Sequence, residues 1–322
     1  MRTTLPRPES VHGERLFTSN VIVLVVFHAL LPAALIPDLF SWTGVALVFL
    51  GNYVFGSLGV NLGYHRLLTH RGFRCPKWLE YTLAVLGICS LQDSPARWVA
   101  IHRMHHQHSD DQPDPHSPLV SFLWGHFGWL LLKNRTLRKR ETMARYARDL
   151  LQDPFYAWLE RHRAWFWVYL AHVVVIFGAG GLAGWVMTGT APGAGRFGLS
   201  VLVWGVVVRT VYVWHITWAV NSVSHRWGYQ SYETGDNSKN NWVVALLTNG
   251  EGWHNNHHAC QRSARHGHRW WELDVTYGTI ALLRAVGLVT EVVPPCLPES
   301  RHHATGRGKR KPRDQSPPLK AA

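Results

Sequence analysis

Cysteine is scarce in this chain of 322 residues: Cys75, Cys89, Cys260 and Cys296 are scattered, and no two form a CxxC pair. A disulfide framework or a cysteine-based zinc site is therefore not expected. No HExxH occurs, so a zinc metalloprotease has no support in the sequence. Acidic residues are few, 20 Asp and Glu against 33 Lys and Arg, for a formal net charge of +13. Such an excess can mark a nucleic-acid protein, but no base-reading motif or aromatic RNA-binding signature accompanies it. Residues 1–19, polar and carrying Arg2, Arg7 and Arg15, lack the short apolar core and small-residue cleavage site of a signal peptide. The mean hydropathy of −0.08 suggests a soluble protein. That average misleads, because the apolar residues are concentrated in a few runs while Arg and His fill the rest.

Four such runs, at about 20–40, 42–63, 165–187 and 197–221, can each cross a hydrocarbon core, which takes about 20 helical residues. Pro32 and Pro37 interrupt the first, and His65 follows the second directly. Two shorter apolar patches, Trp78–Leu91 and Ser121–Leu132, read as helices lying in the membrane interface, apolar side down. Asp110–His116 is a turn-rich acidic loop, and the basic stretch 133–163 is expected to be helical. Thr188–Gly195 reads as a Gly/Pro turn, and an amphipathic helix is expected within Trp270–Val293. The divisions expected are an N-terminal segment (1–19), a membrane domain (20–293) and a basic, disordered tail (294–322). The link at 37–43 has no Lys or Arg and that between the last two runs has only Arg196, whereas basic residues crowd the N-terminus, 64–163 and the tail. The positive-inside rule then puts both termini and every histidine cluster on the cytoplasmic side. The expected fold is an all-α membrane protein, four transmembrane helices under a cytoplasmic helical cap.

The 21 histidines are not spread evenly. Three clusters stand out: His65 and His70; His102, His105 and His106; His254, His257 and His258. The last two repeat i, i+3, i+4, which on a helix is one face. Imidazole binds Zn, Fe, Cu or Ni. A structural zinc takes four ligands and a catalytic one three plus water. Eight clustered histidines, with His225 as a ninth, are too many for one ion and suit two. Glu251-x-x-His254 matches half of the carboxylate di-iron bundle motif, which needs a second copy that this chain lacks, so the match reads as coincidence.

Taken in order, the boxes HxxxxH, HxxHH and HNxHH with four apolar runs resemble the integral-membrane fatty-acyl desaturases of the delta-9 type, over roughly residues 20–290. Asn221–His225, Asp114-Pro115-His116 and Gly252–His258 fit that family too. The resemblance implies two irons ligated by nitrogen. One would take His65, His70, His102, His106 and His257; the other His105, His225, His254 and His258, with Asn221 holding a water. It also implies a reaction in which O2 and two electrons remove two hydrogens from adjacent carbons of a saturated acyl chain, giving a delta-9 cis double bond. An unactivated C–H bond has no acidic proton, so the chemistry belongs to the metal and O2. The spanning helices suit the walls of an acyl tunnel.

The animal acyl-CoA enzymes of the family carry an Arg-Asp pair before HxxHH that contacts CoA; here Ala100 and Ile101 stand there. Acyl-CoA and acyl-lipid substrates both remain open, and the segment after His258 looks like that of bacterial and plant enzymes. With no haem or flavin motif in view, a separate ferredoxin or cytochrome-type electron donor is expected. Competing readings are the related alkane, sterol or carotenoid hydroxylases and a histidine-rich metal transporter. The last would carry polar ligands at mid-span, whereas these clusters sit at helix ends and in loops. His28, His126, His162, His172, His215, His266 and His268 read as interfacial groups or as partners of ligands. Arg209 inside a span marks a functional position. The basic stretch 133–148 reads as a solvated or lipid-headgroup face, or as a contact for an acidic electron donor.

Overall fold

The helix ends are set by local sequence, and they differ from the expected ones in ways that matter for the site. The computed structural model describes residues 4–296. A strand, β1 (Val11–Leu16), leads into α1 (Thr18–Leu35). Its last turn tightens to a 3-10 winding at Leu31–Leu35, and Ile36 is extended, as a residue before proline must be. The first span therefore stops at Leu35 rather than near 40. The second, α2 (Trp42–Thr69), is capped by the Ser41 hydroxyl, which accepts from Gly44 N at 2.9 Å. From Asn52 onward α2 is wound with wide i→i−5 turns. It runs past the expected end at 63 and carries His65 inside the helix.

Helix α3 (Lys77–Ile88) packs along α2. A Cβ at Gly59 would lie 2.4 Å from the backbone nitrogen of Gly87, so the two helices touch backbone to backbone. Leu79, Leu83, Ala84 and Ile88 of α3 are buried in one cluster with Leu62, Leu67 and Leu68 of α2. Glu80 also faces inward, accepting from the Tyr156 hydroxyl at 3.0 Å. This patch was expected to lie flat in the interface; its packed face is instead protein. Helix α4 (Pro95–His108) starts with proline in its first turn and a Ser94 cap on Arg97 N.

A short helical stretch at 124–131 runs into β2 (Leu132–Asn134), which pairs antiparallel with β1. The basic stretch 133–163 is not one helix but short ones, Arg140–Tyr146, Arg148–Leu151 and Pro154–Glu160, the last begun by Pro154 under an Asp153 cap. The third span, α5 (Ala164–Thr188), ends at Gly189 in the left-handed region (φ +65). Thr190 then caps α6 (Ala191–Ser222), whose first turn holds Pro192. The expected turn over 188–195 thus shrinks to Gly189 and Thr190. Gly184 of α5 lies against Gly193 and Phe197, and Gly180 against Val201, small residues that let the hairpin close.

The remaining elements are α7 (Trp242–Leu247), α8 (His254–Ala259) and α9 (Val275–Ala285), the last inside the expected amphipathic stretch. After α9 the chain returns: Val293 N donates to Gly72 O and Val293 O accepts from Ala264 N. That return brings Cys296 to Cys260, Cα atoms 5.7 Å apart, in a disulfide that the scattered cysteines gave no reason to expect. Most of the expected tail, with His302 and His303, lies outside the described residues.

Outward-facing Val25 and Val26 of α1 and Val174, Val175 and Val186 of α5 are exposed, an apolar surface that suits lipid. Replacing Gly59 by Ala should push α2 from α3 and cost about 1–3 kcal/mol, read as a lower midpoint in thermal unfolding of the detergent-solubilised protein. Gly178→Ala, which meets open space, should leave the midpoint unchanged or slightly raised.

Candidate metal centre

In an α-helix, neighbours on one face are three or four apart, so the five-residue spacing of His65 and His70 would separate them. The wide winding of α2 removes the problem. His70 N bonds to His65 O, and the two rings lie 4.8 Å apart. From α4, His102 and His106 approach the same point, and from α8, His257. His257 Nε2 lies 3.1 Å from His65 Nε2 and 2.9 Å from His106 Nε2, and His106 Nε2 lies 3.1 Å from His102 Nε2. Ligand atoms of His65, His70, His102, His106 and His257 all fall within 4.8 Å of one another.

A second group forms beside it. His105 of α4, His225 just past α6, and His254 and His258 of α8 also bring ligand atoms within 4.8 Å of one another. His225 Nε2 and His254 Nε2 are 3.0 Å apart. Both α4 and α8 serve both groups, since adjacent residues on one helix point to different sides. Asn221, in the last turn of α6, lines the adjoining cavity together with His254.

Second ring nitrogens explain how the imidazoles are held. His105 Nδ1 donates to Asp114 (3.0 Å to either oxygen), His225 Nδ1 to Asp110 (2.9 Å), His258 Nδ1 to Asp236 (2.6 Å) and His65 Nδ1 to Glu251 (2.5 Å). A carboxylate only accepts, so each of these rings carries a proton on Nδ1, which leaves Nε2 as the nitrogen that can bind a metal. Such carboxylate partners fix the tautomer and raise ligand basicity. Burial would raise the Asp110 and Asp236 carboxyls, but the facing imidazoles and the hydrogen bonds outweigh it and hold both below the usual range. Burial, reinforced by the neighbouring rings, holds His102, His106, His254 and His257 well below the ordinary histidine value. They are neutral bases, the form that binds metal.

The two groups fit metal ions on distance and on chemistry. Metal–nitrogen bonds of about 2.0–2.1 Å put neighbouring ligand nitrogens roughly 3 Å apart, as four pairs here are. His70, His105 and His258 each leave a buried Nε2 with no hydrogen-bond partner. Buried polar atoms are seldom left bare, and lone pairs aimed at one point call for a cation.

Sequence reasoning missed the supporting residues. Glu251, dismissed as half of another motif, joins neither converging group. It orients His65, and Arg66 grips its other oxygen through Nη2 (2.7 Å) and Nε (3.1 Å). Arg66 is fully buried and also donates to Asp274 (2.9 Å) and Ala264 O (2.8 Å). Asp110 sits at positive φ (56), a strained position for a residue with a side chain, and its amide donates to Asp114. The acidic loop 110–116 was legible as a turn, and its role as support for two histidines was not. Other histidines take different partners: His28, His215 and His126 form a hydrogen-bonded chain ending on the Ser222 hydroxyl, and His268 meets Tyr232.

A cavity of about 450 Å³ opens beside the two groups. Its walls are largely apolar, with Val23, Leu24, Trp98, Ile101, Trp129, Val213 and Trp214 among them. His65 and His102 from the first group and His254 from the second line it as well. The family model for fatty acid desaturases matches residues 40–280. The chain belongs to the fatty acid desaturase family. It is 42% identical over 273 residues to an sn-1 stearoyl-lipid 9-desaturase of Anabaena variabilis, an alignment covering 85% of this chain and 92% of that one. To an sn-2 palmitoyl-lipid 9-desaturase of Nostoc sp. (strain 36) it is 40% identical over 291 residues, 89% and 95% of the two chains. An acyl-CoA 5-desaturase of Anemone leveillei is 43% identical over 279 residues, 86% and 79%. This desaturase is therefore an oxidoreductase of fatty acid metabolism, mostly helical, with four helices among the described residues long and apolar enough to cross a membrane.

Arg66→Met would leave Glu251 and Asp274 buried without their cation, and breaking such a pair costs about 3–5 kcal/mol. The expected result is a large fall in thermal midpoint, with Arg66→Lys falling less.

Proposed function

We propose that this desaturase places a delta-9 cis double bond in a saturated long-chain acyl group esterified to a membrane lipid. It uses O2, two electrons and two protons, and releases two waters. The observation that carries the reading is one apolar cavity walled by histidines of both converging groups. In this reading His65, His70, His102, His106 and His257 hold one iron and His105, His225, His254 and His258 the other, with Asn221 holding a water. The irons with O2 supply the oxidising power that an unactivated C–H bond demands.

The chain's own part is positioning. Trp98, Ile101, Trp129 and Val213 bind the alkyl chain and exclude water along its length. Asp110, Asp114, Asp236 and Glu251 keep the imidazole protons on Nδ1, so that the nitrogens facing the metal positions stay free. For the carrier, Ala100 and Ile101 offer no charge where the animal acyl-CoA enzymes have an Arg-Asp pair, and two of the relatives named above act on acyl-lipids. Both termini and the histidine boxes face the cytoplasm in this reading. The basic surface at 133–148 then meets lipid headgroups or an acidic ferredoxin or cytochrome-type donor.

Expression in a host rich in saturated acyl chains should raise monounsaturated chains in lipid gas chromatography. A yield of hydroxylated products alone would refute desaturation in favour of a related hydroxylase. His105→Ala should abolish the product while the protein still folds and inserts, and a fully active variant would remove His105 from the site. Purified enzyme given acyl-phospholipid or galactolipid should turn over, and turnover of acyl-CoA alone would overturn the lipid carrier. Metal analysis should find about two irons per chain; one zinc would sink the di-iron reading.

A further inference from the structure

The two histidine groups differ in the charge packed against them. In the four-histidine group, three of four rings are backed by carboxylates: Asp114 on His105, Asp110 on His225 and Asp236 on His258. Among the described residues no Lys or Arg lies within ion-pair distance of these three. Their other partners are neutral: Asp110 takes the Ser117 hydroxyl and the Asn237 amide, and Asp236 the Thr234 and Ser238 hydroxyls. In the five-histidine group only His65 has a carboxylate behind it, Glu251. That carboxylate is bound to Arg66, which also holds Asp274, so two negative charges share one positive. Three net negative charges thus stand behind the smaller group and one behind the larger.

We propose that this asymmetry makes the two metal positions unequal, with the ion of the four-histidine group the easier to oxidise and Asp110, Asp114 and Asp236 the positioning residues that make it so. The inference rests on the two-iron reading above. Coulomb attraction grows with the charge on the ion, so fixed carboxylates stabilise a trivalent ion more than a divalent one. Each also draws on an Nδ1 proton and so makes the ligating nitrogen a stronger donor. At the five-histidine group, Arg66 opposes both effects.

The test uses the purified, fully reduced protein, enriched in 57Fe and first shown to hold two irons per chain. Ferricyanide is added without oxygen in one-electron steps, each ferrous ion losing one electron to one ferricyanide, and Mössbauer spectra are taken at each step. The wild type should show two ferrous sites, of which one becomes ferric before the other. Asp236→Asn keeps an acceptor for His258 Nδ1 but removes its charge, and should shift the first oxidation to higher potential while the second hardly moves. Glu251→Gln should shift the second and spare the first. Oxidation of both irons together in the wild type would overturn the inference, and that arm needs no variant. So would an Asp236→Asn protein whose second step moves. A preparation holding fewer than two irons would fail earlier, on the two-iron reading itself.

Discussion

Nine imidazoles whose Nε2 atoms converge in a buried space are the constraint on which this architecture depends. Lone pairs directed at one another repel, and without a cation the arrangement has no favourable term of its own. The rings must therefore be held from behind. The chain does this at four positions with carboxylates, and at the helix level by taking adjacent residues of α4 and α8 into different groups. His105 and His106 differ by one residue and face different centres, as do His257 and His258. Any rotation of α4 or α8 would displace imidazoles on both sides at once, which couples the two groups mechanically.

The same demand explains the winding of α2. Residues five apart share a side only where the backbone turn is widened, and wide turns recur at functional positions because they carry no stability advantage of their own. Here the cost is met by packing. Arg66, between His65 and His70, is fully buried and bound to groups from residues 251, 264 and 274. Thus the end of α2, which supplies His65 and leads into His70, is clamped to the segment before α8 and to the one that begins α9. The loss of regular helix and the gain of a buried ion network occupy the same few residues.

Much of this was legible in the sequence, and the boundary of legibility has physical causes. Apolar runs of spanning length and histidines at helical spacing are local patterns, and they located the four spans and the three boxes. Two of the carboxylate partners are far from local: Asp110 is 115 positions from His225, and Glu251 is 186 from His65. Nothing in their immediate neighbours distinguishes them from solvated acids. Cys260 and Cys296 were unreadable for the same reason, since only the return of the chain after α9 pairs them. Span ends were misplaced where one residue outweighs hydropathy, as with Pro37 ending α1 and Pro192 starting α6 inside an apparent turn.

The four spans differ in what surrounds them, and their side chains follow from it. Within their most apolar stretches α1 is 6% buried and the candidate span containing α5 11%, whereas α2 and α6 are 50% and 61% buried. Helices that face lipid have no choice but apolar side chains. The inner pair can carry polar groups, provided each finds a partner. α2 holds Asn52, Asn61, His65 and Arg66, and Asn61 donates to Thr248 O at 2.7 Å. α6 holds Arg209, buried and unaccompanied by any carboxylate in ion-pair distance among the described residues. It donates to Cys89 O (2.6 Å) and Gly205 O (3.0 Å), meets His172 Nε2 at 3.1 Å, and stands over the Phe55 ring at 4.3 Å. A cation at that depth is tolerable because carbonyl dipoles replace water, and one of those carbonyls lies just past the end of α3, where a helix has acceptors to spare. The polar residues of α2 and α6 thus build the inner wall, each held by a partner within the protein.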